Sequence, residues 1–437
     1  MMKRIALVNP PFRPGYSRAS RSPSVPRSGT LYMPHDLMLT AAGLRADGHT
    51  VLLIDAIAAN MSLAALAEAL HRWEPEVLVV AAAYPSLAYD IAAAARCKER
   101  ALSARHLFLN VKWLEGELPA HDSLDGIITG LPLLPLRQWL RTGESMPALH
   151  WRAGLHVTPA PAAQLTAAEW PLAAPVAREF LPLNAYFYAC APHPVLTLRT
   201  RYGCDYQCAF CASREQSERR SVAQVLDELA WVEREWPEVR AVFFEDETFT
   251  TDADWLAEWC VSKPPRLAWS GNARADLDPA WLPRLAATGC YSLTVGFESR
   301  APRTLAALHK GETPAQMEHF ARAAAAAGIR VHGCFILGWP GETPRETRAT
   351  IAWARRLPLD TAQFYPPLAE PGNALTGGVP ATVTAAAQAW CRLARRAFYW
   401  RADYWRAKAR QWRDDPDSRY RLRRAATHFL PALVRGR

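Results

Sequence analysis

The sequence lacks any long apolar run. No stretch approaches the roughly 18 consecutive apolar residues that a bilayer-crossing helix needs, so no membrane-spanning segment is expected. The opening Met1-Met2-Lys3-Arg4 has the charge of a secretory leader, but the apolar run behind it, Ile5 to Val8, stops at Asn9-Pro10-Pro11. That is too short for a leader's core. A dense cysteine framework is absent too. Nine cysteines in 437 residues do not staple a small secreted fold, and the crowding of three of them into eight residues favours metal binding in a reducing compartment. No region combines low hydrophobicity with charge of one sign, which excludes a long disordered stretch. A globular cytoplasmic protein is expected.

Half of the residues are hydrophobic, and a chain of this length divides into two or three domains, each with enough apolar content for a core. The net charge of +9 comes from an excess of Lys and Arg after residue 390, so it describes the tail and says little about chemistry. The overall pattern is α/β. Apolar runs at Arg4–Asn9, Thr50–Asp55, Glu76–Ala81, His106–Asn110 and Asp125–Thr129 alternate with helical segments such as Leu37–Arg45 and Leu63–Trp73. This predicts a doubly wound, Rossmann-like domain over 1–145. Residues 146–192 are rich in Pro and Ala and read as a linker.

From 193 to 375 strands and helices alternate six times, beginning at Val195–Thr200 and ending at Thr361–Pro366. Six repeats are too few to close a barrel, so a partial (β/α)6 barrel is expected, with its active mouth at the carboxyl ends of the strands. The segment 376–437 reads as helical, basic and rich in Trp and Tyr, for example Arg396-Ala-Phe-Tyr-Trp-Arg401. Alone it would suit nucleic acid or a membrane surface. A helical cap packed across the barrel is the preferred reading, and nucleic acid is not expected as a partner.

The chemistry is concentrated in Gly203-Cys204-Asp-Tyr-Gln-Cys208-Ala-Phe210-Cys211, directly after a predicted strand. Thiolates are the soft ligands of iron-sulfur clusters, and a four-iron cubane normally takes four. Three leave one iron open, which is the mark of a catalytic centre. A zinc site is the competing reading, but it would need a fourth ligand, and the nearest upstream candidates, Cys190 and His193, lie beyond a strand.

The spacing of Cys204, Cys208 and Cys211, with the aromatic Phe210 before the third, resembles the defining loop of the radical SAM superfamily. That resemblance implies a [4Fe-4S] cluster on these three cysteines, S-adenosylmethionine (SAM) on the open iron, and reductive cleavage to a 5'-deoxyadenosyl radical. It extends along the barrel. Glu245-Asp246-Glu247 resembles the acidic segment that meets the SAM amino group, and Asn272 and Arg274 the residues that hold its carboxylate. Gly296-Phe-Glu298-Ser299 resembles the ribose segment. Gly333 to Thr343, with Ile336 and Gly338, resembles the strand end that passes close to adenine, and Gln363 lies on the sixth strand. No residue is assigned as the catalytic acid, base or hydrogen relay.

A doubly wound domain ahead of such a barrel is similar to the cobalamin-binding branch, which includes radical methyltransferases and anaerobic cyclase and ring-contraction enzymes. Val8-Asn9-Pro10-Pro11 and Gly48 through Asp55 match it. The chain departs from it at Leu109-Asn-Val-Lys-Trp113 and Gly130-Leu-Pro-Leu133, where many members carry glycines that admit the cobalamin tail, and it has no Asp-x-His-x-x-Gly stretch. Two expectations follow. One is a cobalamin-dependent C-methyltransferase of a natural product or lipid. The other is a cobalamin-independent cyclase or rearrangement enzyme with a vestigial first domain. Either implies an external electron donor such as flavodoxin or ferredoxin.

Overall fold

The structure, a computed structural model, describes residues 2–18, 23–111, 116–117, 121–144, 148–151, 156–157, 165–211, 213, 217–262, 267–367 and 383–435. The chain forms two compact units. The first comprises Met1–Phe187, Leu196–Gly203 and Arg214–Arg220; the second comprises Tyr188–Val195, Cys204–Ser213 and Ser221–Arg437.

The first unit runs β1 (Arg4–Asn9), α1 (His35–Ala46), β2 (Thr50–Asp55), α2 (Leu63–Trp73), β3 (Val77–Ala82), α3 (Leu87–Arg100), β4 (His106–Val111), β5 (Gly116–Glu117), β6 (Gly126–Thr129), α4 (Leu133–Thr142), β7 (Leu149–Trp151), β8 (His156–Val157) and α5 (Ala174–Phe180). Its main sheet has the order β2-β1-β3-β4-β6-β7. Ile5–Val8 and Val77–Val80 are buried at every position, as central parallel strands covered on both faces must be. Leu66 and Leu70 of α2 and Ile91 and Ala94 of α3 pack on Val80 and Leu109 in one core. Gly43 lets α1 approach α4: a Cβ there would stand 2.5 Å from the Leu133 side chain.

The doubly wound expectation holds, with strand bounds shifted by a residue or two. The stretch 146–192 is more than linker. β7 pairs antiparallel with β6, Leu149 lying opposite Ile128, and α5 and the residues up to Phe187 belong to the first unit. Its Pro and Ala content hid this, because a three-residue edge strand leaves no periodicity to read.

The second sheet has the order β14-β13-β12-β11-β10-β9, from β9 (Val195–Leu198), β10 (Ala241–Phe244), β11 (Ala268–Ala273), β12 (Cys290–Glu298), β13 (Arg330–Ile336) and β14 (Thr361–Tyr365). Between them lie α6 (Val222–Glu235), α7 (Ala253–Val261), α8 (Trp281–Ala287), α9 (Pro302–Ala307), α10 (Pro314–Ala326) and α11 (Pro344–Arg356). Strand neighbours in sequence are neighbours in space, the open (β/α)6 arrangement expected. Capping boxes start three of the helices: Ser221 with Gln224, Thr313 with Gln316, and Thr343 with Glu346, each satisfying orphan N–H groups of the first turn. The short α9 was not anticipated.

The tail forms α12 (Ala385–Tyr399), α13 (Ala402–Asp414) and α14 (Pro416–Arg435). These helices reach the amino ends of the barrel strands. Asp360, just ahead of β14, takes Lys408 Nζ at 2.7 Å and Arg421 Nη1 at 3.1 Å. Arg330 at the start of β13 pairs with Asp415 at 2.6 Å. The Tyr399 hydroxyl donates to Ala362 O and accepts from Ala362 N. The basic tail is therefore the cap that the sequence suggested.

Candidate active site

The loop after β9 turns at Gly203, whose φ of +87° is costly for a side-chain-bearing residue. Its backbone is anchored by Ala209 N donating to Leu308 O at 3.0 Å and Cys211 N to Cys208 O at 3.1 Å. Cys208 is buried, whereas Cys204 and Cys211 are partly exposed. Thr248 Oγ1 lies 3.6 Å from Cys204 Sγ, and Ser213 N donates to Cys211 Sγ at 3.4 Å. Burial pushes the Cys208 thiol pKa up, with Lys310 and Arg274 opposing. Among the described residues no three His, Cys, Asp or Glu side chains are gathered as a metal site, the loop thiols included. Phe210 is half-buried, its ring 6.4 Å from that of Trp339.

Arg274, at the end of β11, is bound on every side. Its Nε and Nη2 donate to Asp276 at 3.0 and 2.8 Å, Nη2 donates to Lys310 O at 2.6 Å, and Nη1 approaches Cys208 Sγ at 3.6 Å. Glu312 stands 3.1 Å from Nη2, and the guanidinium lies 3.7 Å over the Tyr206 ring. Arg274, expected to hold the SAM carboxylate, ties the cysteine loop to the turn at 310–312. Asn272 is also engaged: its Nδ2 donates to Asp246 O at 2.7 Å, and its backbone carbonyl accepts from Phe249 N at 2.8 Å. Together these bonds shape the Glu245-Asp246-Glu247 segment, whose three side chains are all buried.

Sequence reasoning missed Lys310. This buried ammonium lies 3.8 Å from Glu298 and 3.8 Å from Glu312, and a Cβ on Gly296 would come within 3.2 Å of its Nζ and 2.2 Å of Glu298 Oε1. Glu298 adopts φ +55° at a register shift between β12 and β13, a strained backbone that concentrates at functional sites. Burial raises the Glu312 pKa, and Lys310 and Arg274 oppose it. The only signal for Lys310 was its place in His309-Lys-Gly-Glu312, which looks like any polar turn.

Along β12, β13 and β14 buried and half-buried residues alternate. Register sets Thr294 beside His332 and Gly296 beside Cys334, then His332 beside Thr361, Cys334 beside Gln363 and Ile336 beside Tyr365. Gly296, Ile336 and Gln363 thus share one partly accessible face. Gly333 lies on the other face, where a Cβ would meet Leu359 at 2.7 Å; its role there is packing. Ser299 and Gly338 also serve the scaffold. Ser299 Oγ donates to Glu342 Oε1 at 2.9 Å, and Gly338, with φ +82°, donates its N–H to Glu342 Oε2 at 3.0 Å. His332 Nδ1 stands 2.7 Å from Thr361 Oγ1. Burial would lower its pKa, but Cys190 and Cys334 hold it well above the ordinary value. Tyr291, on β12, faces the cap: its hydroxyl lies 3.3 Å from Ser418 Oγ, and Arg330 lies 4.1 Å over its ring.

In the first unit the strand order reverses between β1 and β3, where doubly wound sheets bind ligands. The carboxyl ends there carry Asn9 and Tyr84-Pro-Ser86. Arg18 pairs with Asp90 at 2.5 Å and donates to Asn9 Oδ1 at 3.1 Å. Ser86 Oγ donates to Asp90 at 2.6 Å. Tyr84 and Tyr89 remain exposed, with Tyr89 5.0 Å from the Phe12 ring. Asn110 braces the next loop through Gly130 O at 2.8 Å, while Lys112 and Trp113 lie outside the described residues.

An open six-stranded parallel barrel with a three-cysteine loop after its first strand is the arrangement of one class of enzyme, and residues 199–354 of this chain match the family model of the radical SAM superfamily. A radical SAM domain implies a [4Fe-4S] cluster and SAM. Among curated proteins the chain is 25% identical over 389 residues to an uncharacterized methyltransferase of Pyrococcus horikoshii, covering 85% of this chain and 82% of that one. It is 29% identical over 286 residues to cytidylyl-2-hydroxyethylphosphonate methyltransferase of Streptomyces wedmorensis, covering 60% of this chain and 51% of that protein. Its fold is similar to that of the radical SAM methyltransferase TsrM of Kitasatospora setae, with TM-score 0.65, 18% identity and coverage of 83% and 73%. The cobalamin-dependent radical enzyme OxsB gives TM-score 0.61 at 16% identity, covering 91% of this chain and 55% of that one.

Proposed function

We propose that this protein is a cobalamin-dependent radical SAM C-methyltransferase acting on a small molecule or lipid in the cytoplasm. The observation that carries the reading is the wiring of the cysteine loop, through Arg274, to the buried Lys310–Glu298–Glu312 network in the second unit. The methyltransferase names of the curated relatives and the cobalamin bound by structurally similar enzymes support the choice of reaction.

Cys204, Cys208 and Cys211 offer the soft donor set for a [4Fe-4S] cluster, which when bound supplies the electron that cleaves SAM. Lys310 offers a cation for the SAM carboxylate, and Glu298 a carboxylate for ribose hydroxyls or the amino group. Gly296, Ile336 and Gln363 line the face against which the adenosyl group would lie. In the first unit, Tyr84 and Tyr89 would flank a corrin, whose contribution is to carry the methyl group. Reduced flavodoxin or ferredoxin would serve as the external electron donor.

The test is the product set. Anaerobically reconstituted protein supplied with cobalamin should acquire corrinoid absorption and, under reduction, turn SAM into both S-adenosylhomocysteine and 5'-deoxyadenosine. Formation of 5'-deoxyadenosine alone would overturn methyl transfer. Cys208→Ala should lose four-iron cluster signals in electron paramagnetic resonance and yield neither product.

A further inference from the structure

The terminal helices carry the chain's whole excess of positive charge. From Ala385 to Arg437 there are fourteen Lys or Arg against four Asp, a net +10, while the entire chain is only +9. Some of these cations are consumed on the inner side of the cap, where Lys408 and Arg421 grip Asp360 and lie almost wholly buried.

The outer side of α13 has a different composition. Trp405 and Trp412 are 40% and 44% exposed. Seven residues apart, they lie on one helix face about 10 Å from each other at ~1.5 Å rise per residue, with exposed Ala409 between them. Arg406, Arg410 and Arg413 form an adjoining exposed stripe. Arg413 pairs with its neighbour Asp414 at 2.6 Å, whereas Arg406 and Arg410 make no ion pair among the described residues. Trp400, in the turn ahead of α13, is 66% exposed. Indoles left in water beside unpaired guanidinium groups are a combination that an anionic, amphiphilic surface satisfies, since indole prefers the headgroup level and Arg finds phosphate there.

We infer that the outer face of α13 is a peripheral docking surface for anionic membranes, Trp405 and Trp412 entering the headgroup layer while Arg406 and Arg410 meet lipid phosphates. A planar interface accepts both indoles at once. A single nucleic-acid strand stacks bases at much shorter spacing. No helix among the described residues is long and apolar enough to cross a membrane, so the attachment is interfacial.

Flotation of the full-length protein with vesicles tests it. Vesicles of phosphatidylcholine with about one-third phosphatidylglycerol should carry the protein, and phosphatidylcholine alone should not; binding should weaken as salt is raised. Trp405→Ala/Trp412→Ala and, separately, Arg406→Gln/Arg410→Gln should each lower binding roughly tenfold or more with unchanged circular dichroism and iron content. Equal binding to both vesicle types, or no effect of either double variant, overturns the inference. So does protein that ignores vesicles but binds bulk transfer RNA through the same four residues.

Discussion

At the scale of single residues, the site depends on side chains that hold other side chains. Arg274→Lys would keep a charge but lose the planar group that lies over Tyr206 and reaches Asp276, Lys310 O and Cys208 together. SAM cleavage should fall roughly tenfold, in line with ~1.5 kcal/mol for a lost charge-assisted contact, and iron retained after desalting should fall with it; 5'-deoxyadenosine assays and iron analysis check both. Gly296→Ala would drive a Cβ into Glu298 and toward Lys310. SAM affinity should weaken about tenfold, ~1.4 kcal/mol, in equilibrium dialysis with reconstituted protein, while the cluster spectrum stays unchanged. The cysteines and Glu298 could be proposed from the sequence because residue type and spacing carry that signal. Lys310 could not, since an ammonium in a polar turn gains meaning only when folding buries it beside two carboxylates.

At the scale of elements, the barrel strands and helices were readable from the alternation of apolar runs with helical segments, to within one or two residues. The cap helices were readable as helices, but not the ion cluster they build. Burial alone would raise the Asp360 pKa; Lys408 and Arg421 outweigh it and hold the carboxyl well below the usual carboxylate range. A group whose pKa falls on folding stabilises the fold at pH above its ordinary value of about 3.9, and that contribution is lost as pH drops below it toward the depressed value. Acid should therefore loosen the cap. Asp360→Asn leaves two buried cations short of an anion and should cost about 3–5 kcal/mol, seen as a lower denaturation midpoint at neutral pH and as a shallower loss of stability on acidification than in the parent.

For the whole molecule, a ligand that binds only the folded chain must raise its stability. SAM at about one hundred times its Kd should stabilise the reconstituted protein by ~2.7 kcal/mol, measurable as a higher melting temperature; a reconstituted protein whose melting ignores SAM would contradict the proposed site. The amino-acid sequence by itself determined the two α/β units, the six barrel repeats and the three-thiol loop, because apolar runs, helical segments and cysteine spacing are local properties of the chain. Only the tertiary structure decided that Arg274 braces the loop, that Lys310 stands beside Glu298 and Glu312, that the Pro-rich stretch adds a strand to the first sheet, and that one side of the basic tail is spent on Asp360. Those outcomes depend on which distant side chains burial brings within a few ångströms of each other, and no local pattern encodes that.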